Sequence, residues 1–174
     1  MTTLRELAHG IYPPLLAAEG LTVALQGQAR KAATPVETIA DGVGRYPQEV
    51  EAAVYFCVLE ALDNTGKYAK ATKSTVTLAQ TIGDLTFQVV DDGVGFDPAT
   101  PPRGHGLTNM VDRLQALDGA VAVPSQPGRG TTVAGFTPVP FMTDTSVEAA
   151  WRLMPTRTER PPRHRVDCAR TDVR

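Results

Sequence analysis

At 174 residues and 42% hydrophobic content, the chain has the size and composition of one globular domain with a real core. Its longest uninterrupted apolar run, Ala52 to Leu59, is eight residues, far short of the roughly 20 that a membrane helix needs. The formal net charge of −2 hides an asymmetry: residues 151–174 carry about +4 and the rest about −6, which gives no support for nucleic-acid binding by the acidic body.

In chain order, residues 3–9 read as helical and stop at Gly10, and Pro13-Pro14 forces a break before a short apolar turn, Leu15 to Ala18. A helix is expected from Leu21 to about Ala32. Pro35 to Ala40 alternates like a strand, and Asp41-Gly42-Val43-Gly44 turns out of it. From Pro47, suited to a first helical turn, a long helix is predicted to about Ala69, with Val50, Val54, Cys57, Val58, Ala61 and Leu62 as its buried stripe.

Two strands follow, about Ser74–Gln80 and Asp84–Val90, joined by a turn at Ile82-Gly83-Asp84. A loop over 98–106 leads into a helix carrying Leu107, Met110, Val111, Leu114 and Leu117 at helical spacing, ended by Gly119. Two last strands, about Ala120–Val123 and Thr131–Thr137, flank a Pro127-Gly128-Arg129-Gly130 turn. The expected fold is one α/β domain, a two-layer sandwich with a mixed, mostly antiparallel sheet and helices on one face. Beyond it, 141–174 is rich in Arg and Pro and reads as a disordered extension.

Four segments carry candidate chemistry. Asp91-Asp92-Gly93-Val94-Gly95-Phe96-Asp97 closes a strand, where Asp91 can accept a hydrogen bond from a purine amine and Gly93 and Gly95 let a flat ring approach. Read alone, it is equally an acidic surface turn. Glu60, Asn64 and Lys67 stand at i, i+4 and i+7 on one face of the long helix. A carboxylate, a neutral oxygen and an ammonium there suit Mg²⁺ with a polyphosphate, although each also suits a plain solvated face. Gly104-His105-Gly106 precedes the helix at Leu107, where free backbone N–H groups can meet phosphate, and Arg103 adds a charge. Thr131-Thr132 opens the last strand and can share a hydrogen bond with Asp91.

The order of these segments over residues 35–138 resembles the nucleotide-binding domain of gyrase-type, heat-shock-chaperone, histidine-kinase and mismatch-repair ATPases, the Bergerat fold. Within that superfamily the chain looks most like the catalytic domain of bacterial two-component sensor histidine kinases with nitrate-response-type regulators. Leu4 to Leu16 is similar to the second dimerisation helix with its Pro-broken end, and Gly104 to Arg113 to a phosphate loop with a very short lid.

The resemblance implies ATP and Mg²⁺ as ligands and divides the chain into a dimerisation remnant (1–33), an ATP-binding domain (34–140) and a tail (141–174). By the same carry-over, Asp91 reads the adenine amine, Thr131 supports that contact, and Gly93 and Gly95 make room for the ring. Asn64 coordinates Mg²⁺, Glu60 orients or polarises the reacting group, and Gly104, Gly106 and Leu107 cradle the phosphates. Outside the carry-over, the charges of Lys67 and Arg103 suit phosphate by their placement, and His105 lies within the phosphate loop. Asp92 stands where the family often has Asn and receives no role.

The pattern departs from the family in two places. None of the three histidines, His9, His105 and His164, is followed by Asp or Glu, so the His box that accepts phosphate is missing. The expected partner is therefore a separate His-box dimerisation protein, and indirectly a response regulator, in the cytoplasm. The chain reads as a naturally split or truncated kinase, or as a fragment. Second, Tyr68 and Asp63 replace the family's usual His and Thr or Gln, and Gly66 sits inside the helix at a cost of about 1 kcal/mol relative to Ala. These changes motivate one alternative, a non-catalytic ATP-sensing module; another, an anti-sigma-factor-type serine kinase, shares the nucleotide fold and binds a protein partner but has no need of the Pro-broken helix at 4–16.

Overall fold

Proline and glycine set the shape of the first helix. In the computed structural model, which describes residues 12–99 and 105–139, α1 spans Pro14–Ala29 with a proline in its first turn. It is one element with a kink, where the sequence suggested a turn and a separate helix from Leu21. The kink lies at Gly20 (φ 81°, ψ −176°), a conformation costly for any residue with a Cβ. A Cβ there would also lie 2.8 Å from Cδ of Arg45, whose side chain packs into the bend. The readings of 3–9, of the tail at 141–174, and of Arg103 and Gly104 fall outside the described residues.

After strand β1 (Val36–Asp41), helix α2 runs from Gln48 to Asn64 and passes directly into a π-helical turn, Thr65–Ala69. The sequence suggested an unbroken helix to Ala69. The wider turn coincides with Gly66, and Thr65 Oγ1 returns a hydrogen bond to the Ala61 carbonyl (3.1 Å). Strands β2 (Ser74–Gln80) and β3 (Asp84–Asp91) form a hairpin. Helix α3 (Gly106–Gln115), β4 (Ala120–Ala122) and β5 (Thr131–Pro138) complete the described elements. Leu117, expected in α3, lies just past its end, where Gly119 N–H bonds to the Leu114 carbonyl at 2.8 Å.

The sheet order is β1-β2-β3-β5-β4, with β1 parallel to β2 and every other pair antiparallel. The parallel pair follows from connectivity, because α2 is the crossover between β1 and β2. Alternate residues of the central strands (Val76, Leu78, Leu85, Phe87, Val89, Val133) meet the apolar stripes of the helices to form one core. Leu16, Leu21 and Leu25 of α1 belong to that core, so the segment before β1 packs with the sheet domain. On the opposite face Val90 and Phe136 stay exposed, which gives a two-layer α/β sandwich.

The stripe on α2 differs from its periodicity in one respect. Leu62 is only partly buried, whereas Glu51, Ala53 and Tyr55 are buried. Glu51 is wholly enclosed because its carboxylate accepts from Tyr12 Oη (2.8 Å), Arg45 Nε (2.9 Å) and Tyr46 N (3.1 Å). A charge buried with that many donors is compensated, and here it ties α1 to the start of α2. Among the described residues, no helix is long and apolar enough to cross a membrane.

Candidate functional site

The C-terminal end of β3 places Asp91 between two neighbours, Ser74 on β2 and Thr131 on β5. The residue is 7% exposed, and its carboxylate is held from three sides. Oδ1 accepts from Gly93 N (2.9 Å) and Thr131 N (3.3 Å), and Oδ2 from Thr65 Oγ1 (3.4 Å). The chain then turns tightly, with Val94 N–H on the Ala69 carbonyl (2.7 Å) and Gly128 N–H on the Val94 carbonyl (2.6 Å). Gly95 has φ +59°, and a Cβ there would lie 2.0 Å from the Gln126 carbonyl oxygen, so only glycine fits.

This strand end forms one wall of a cleft of about 760 Å³, a size that accommodates a nucleotide-sized ligand. The opposite wall is the last turn of α2 and the π turn, which bring Glu60, Asn64, Lys67 and the 58%-exposed Tyr68 to the cleft. His105, Gly106 and Leu107, opening α3, line it at another side. Nine of the sequence candidates thus line one cavity: Glu60, Asn64, Lys67, Asp91, Gly95, His105, Gly106, Leu107 and Thr131. Gly93 does not line it but is bonded through its amide to Asp91.

Local contacts give several of these residues definite surroundings. His105 occupies the N-cap of α3 without a side-chain cap, so the first amides of the helix have no side-chain partner there. The Glu60 carboxylate lies against that terminus: a Cβ on Gly106 would be 2.2 Å from Glu60 Oε1. Helix α3 is held on α2 by Arg113, whose guanidinium carbon stands 4.9 Å from the Phe56 ring centroid. Lys67 forms an ion pair with Asp63, so the carboxylate that departs from the family pattern anchors this ammonium. Among the described residues no cluster of three His, Cys, Asp or Glu is arranged to hold a metal.

Two residues that sequence reasoning passed over support the same site. Thr65 touches Asp91 from the π turn. Ser125 sits between the two strand ends: its hydroxyl accepts from Phe96 N (2.9 Å), donates to the Gly130 carbonyl (3.1 Å), and lies 3.0 Å from Thr131 Oγ1. The Gly-x-Gly-Thr turn that singled out Thr131 could have drawn attention to this serine a few positions earlier. Asp92, left without a role, faces away and accepts from Thr72 N (2.7 Å), Lys73 N (3.1 Å) and the Thr72 hydroxyl. These bonds, the Thr72 hydroxyl first, hold its carboxyl below the usual range. Cys57 is buried beside the site, and burial pushes its thiol up to about 12, which makes it unsuited to nucleophilic work.

The family of histidine kinase-, DNA gyrase B- and HSP90-like ATPases is matched over residues 49–140, just over half of the chain. The chain is 35% identical over 96 residues to the signal transduction histidine-protein kinase/phosphatase DegS of Brevibacillus brevis, covering 55% of this chain and 25% of that protein. It is 30% identical over 151 residues to an uncharacterized sensor-like histidine kinase of Chloroflexus aurantiacus, covering 78% and 25%. It therefore spans about a quarter of the length of these relatives. Among solved structures, the histidine kinase domain of a blue-light activated histidine kinase from Erythrobacter litoralis matches with a TM-score of 0.52 at 24% identity, covering 67% of this chain and 56% of that one. The mycobacterial sensor histidine kinase MprB matches with a TM-score of 0.50 at 21% identity, covering 67% and 89%. These two structures bear on the fold, and the matched family span bears on descent: the chain belongs to the histidine kinase-, DNA gyrase B- and HSP90-like ATPases, and its relatives are sensor histidine kinases.

Proposed function

We propose that the chain is the ATP- and Mg²⁺-binding catalytic domain of a two-component sensor histidine kinase of the nitrate-response type, and that it phosphorylates a histidine on another polypeptide. The observation that carries this reading is the joining of Asp91, Asn64 and the α3 N-terminus around one cleft. Asp91 receives the adenine amine, supported by Thr131, with Gly93 and Gly95 beneath the ring. The α3 terminus at His105, Gly106 and Leu107 meets phosphate oxygens, with Arg103 and Gly104 before it.

Asn64 offers a neutral oxygen to a hard cation that otherwise keeps phosphate and water ligands, and that donor type fits Mg²⁺. When bound, the cation neutralises charge developing on the transferred phosphoryl group. Glu60, between Asn64 and the α3 terminus, orients the incoming imidazole. The imidazole nitrogen bonds to phosphorus as the bond to the β-bridging oxygen breaks, and ADP leaves with that electron pair. Lys67 adds positive charge at the rim while paired to Asp63.

The test is labelled transfer. Incubated with γ-labelled Mg-ATP and a dimerisation hairpin carrying a His-Asp or His-Glu box, the protein is expected to label the hairpin with acid-labile phosphohistidine. Acid-stable phosphoserine on a protein partner would move the assignment to an anti-sigma-factor-type kinase. A second reading, an ATP-binding module without turnover, rests on the Lys67–Asp63 pair and Tyr68, and binding without transfer to any His-box partner would favour it.

A further inference from the structure

The hydroxyls of Thr65, Ser125 and Thr131 form hydrogen bonds at the Asp91 end of the cleft, and the direction of their protons follows from their partners. The Ser125 hydroxyl has one proton and three neighbours. Gly130 O can only accept and Phe96 N–H can only donate, so Ser125 gives its proton to the carbonyl (3.1 Å) and accepts from the amide (2.9 Å). Its remaining contact, 3.0 Å to Thr131 Oγ1, then requires Thr131 to be the donor. Thr65 likewise gives its proton to Ala61 O or Asp91 Oδ2, both acceptors within the protein. The amides of Gly93 and Thr131 are already spent on Asp91 Oδ1.

We infer that Ser125 determines base specificity by positioning: it takes up the Thr131 proton, so that Thr131 Oγ1 faces the base end of the cleft as an acceptor beside the Asp91 carboxylate. Such a wall accepts from a purine bearing an amine at position 6, directly or through a water that donates to Thr131. It repels a purine bearing a carbonyl at that position, whose oxygen would face lone pairs with no proton between them. Ser125 touches no base itself, and its effect passes through Thr131. This inference rests on the cleft being a nucleotide site.

The experiment is calorimetry with ADP and with inosine 5′-diphosphate, which replaces the amine by a carbonyl, on the full chain with Mg²⁺. The wild type is expected to prefer ADP. Ser125→Ala frees the Thr131 proton to turn into the cleft, so inosine diphosphate should tighten and the preference narrow by about three- to tenfold, the worth of one hydrogen bond. Ser125→Thr, which keeps the hydroxyl, should retain the preference. Thr131→Val leaves the Phe96–Ser125–Gly130 bonds intact and should weaken ADP without tightening inosine diphosphate; in that background Ser125→Ala should change the ratio no further.

A wild-type preference that survives Ser125→Ala would overturn the inference while leaving the nucleotide reading intact. So would the same narrowing in the Thr131→Val background, which would mean that Ser125 acts only through general packing. If Ser125→Ala does not fold, Thr131→Val decides, and unchanged ADP affinity there counts against the inference. A wild type that binds neither diphosphate removes the nucleotide reading itself, and the inference with it.

Discussion

Asp91 and Asp92 are adjacent carboxylates in different surroundings, and the difference lies in what faces them. Both Oδ1 atoms are occupied by two backbone amides, but Asp91 lines the cleft with its Oδ2 beside Thr65, and Asp92 Oδ2 faces Thr72. In Asp91→Asn the amide oxygen must stay towards Gly93 N and Thr131 N, because an NH₂ group there would oppose two donors. The NH₂ therefore turns into the cleft against the base amine. ADP affinity is expected to fall at least about tenfold, the scale of a lost charge-assisted bond, with little change in melting temperature. Calorimetry beside a melting curve checks this, and unchanged affinity would remove Asp91 from the base contact. Asp92→Asn is expected to do the reverse, leaving ADP affinity alone and lowering stability. Because its folded carboxyl is held below the ordinary value, the stabilisation from Asp92 is complete above that ordinary value and is lost as pH falls through the folded one. The acid limb of a stability–pH curve should flatten in the variant.

The junction of α2 with the π turn shows what element-level patterning can and cannot carry. Periodicity identified the helix and most of its buried stripe, because Val50, Val54, Cys57, Val58 and Ala61 recur at the spacing that faces the sheet. It could not show the change of winding after Asn64, since a π turn is chosen by tertiary contacts such as Thr65 on Asp91 and Val94 N–H on the Ala69 carbonyl. Nor could it show that Glu51 is buried, because its partners Tyr12 and Arg45 come from outside the helix. The same junction makes Gly106 a sensitive position. A methyl group there would meet Oε1, Cδ and Cγ of Glu60 at 2.2, 2.9 and 3.2 Å, so in Gly106→Ala the flexible glutamate must swing aside. If Glu60 orients the acceptor, phosphoryl transfer should drop by about tenfold or more while ADP binding changes less. Equal losses in both would show that the methyl group acts by blocking the phosphate site and that the displacement of Glu60 is without consequence for transfer.

Across the whole molecule, the strands and their alternation were legible locally, but the order β1-β2-β3-β5-β4 was not. Strand order depends on which edges meet, and no residue in β1 records that its neighbour will be β2 in parallel. The alternation pointed to a two-layer α/β sandwich, and the order of its strands is seen only in the folded sheet. Thr65 and Ser125 stayed hidden for a related reason: each becomes part of the site only when the fold brings it to Asp91 or Thr131. Long-range polar ties of this kind also govern how α1 is held to the rest of the described structure. Burial, and then the hydrogen bond to Glu51, raise Tyr12 from 10.0 to about 12. A folded value above the unfolded one means that the tie stabilises fully below the unfolded value and is lost as pH rises towards the folded one. Stability is therefore expected to decline between about pH 10 and about pH 12. Tyr46 and Cys57 are also raised and decline in part of the same range, so the wild-type curve alone does not isolate Tyr12. Tyr12→Phe should be less stable at neutral pH by about 1.5–3 kcal/mol, the range for a hydrogen bond to a charged group, and should lose less over the alkaline window. Urea unfolding at fixed ionic strength across that window measures the difference. Parallel curves for wild type and variant would mean that the Tyr12–Glu51 bond does not hold α1 in place.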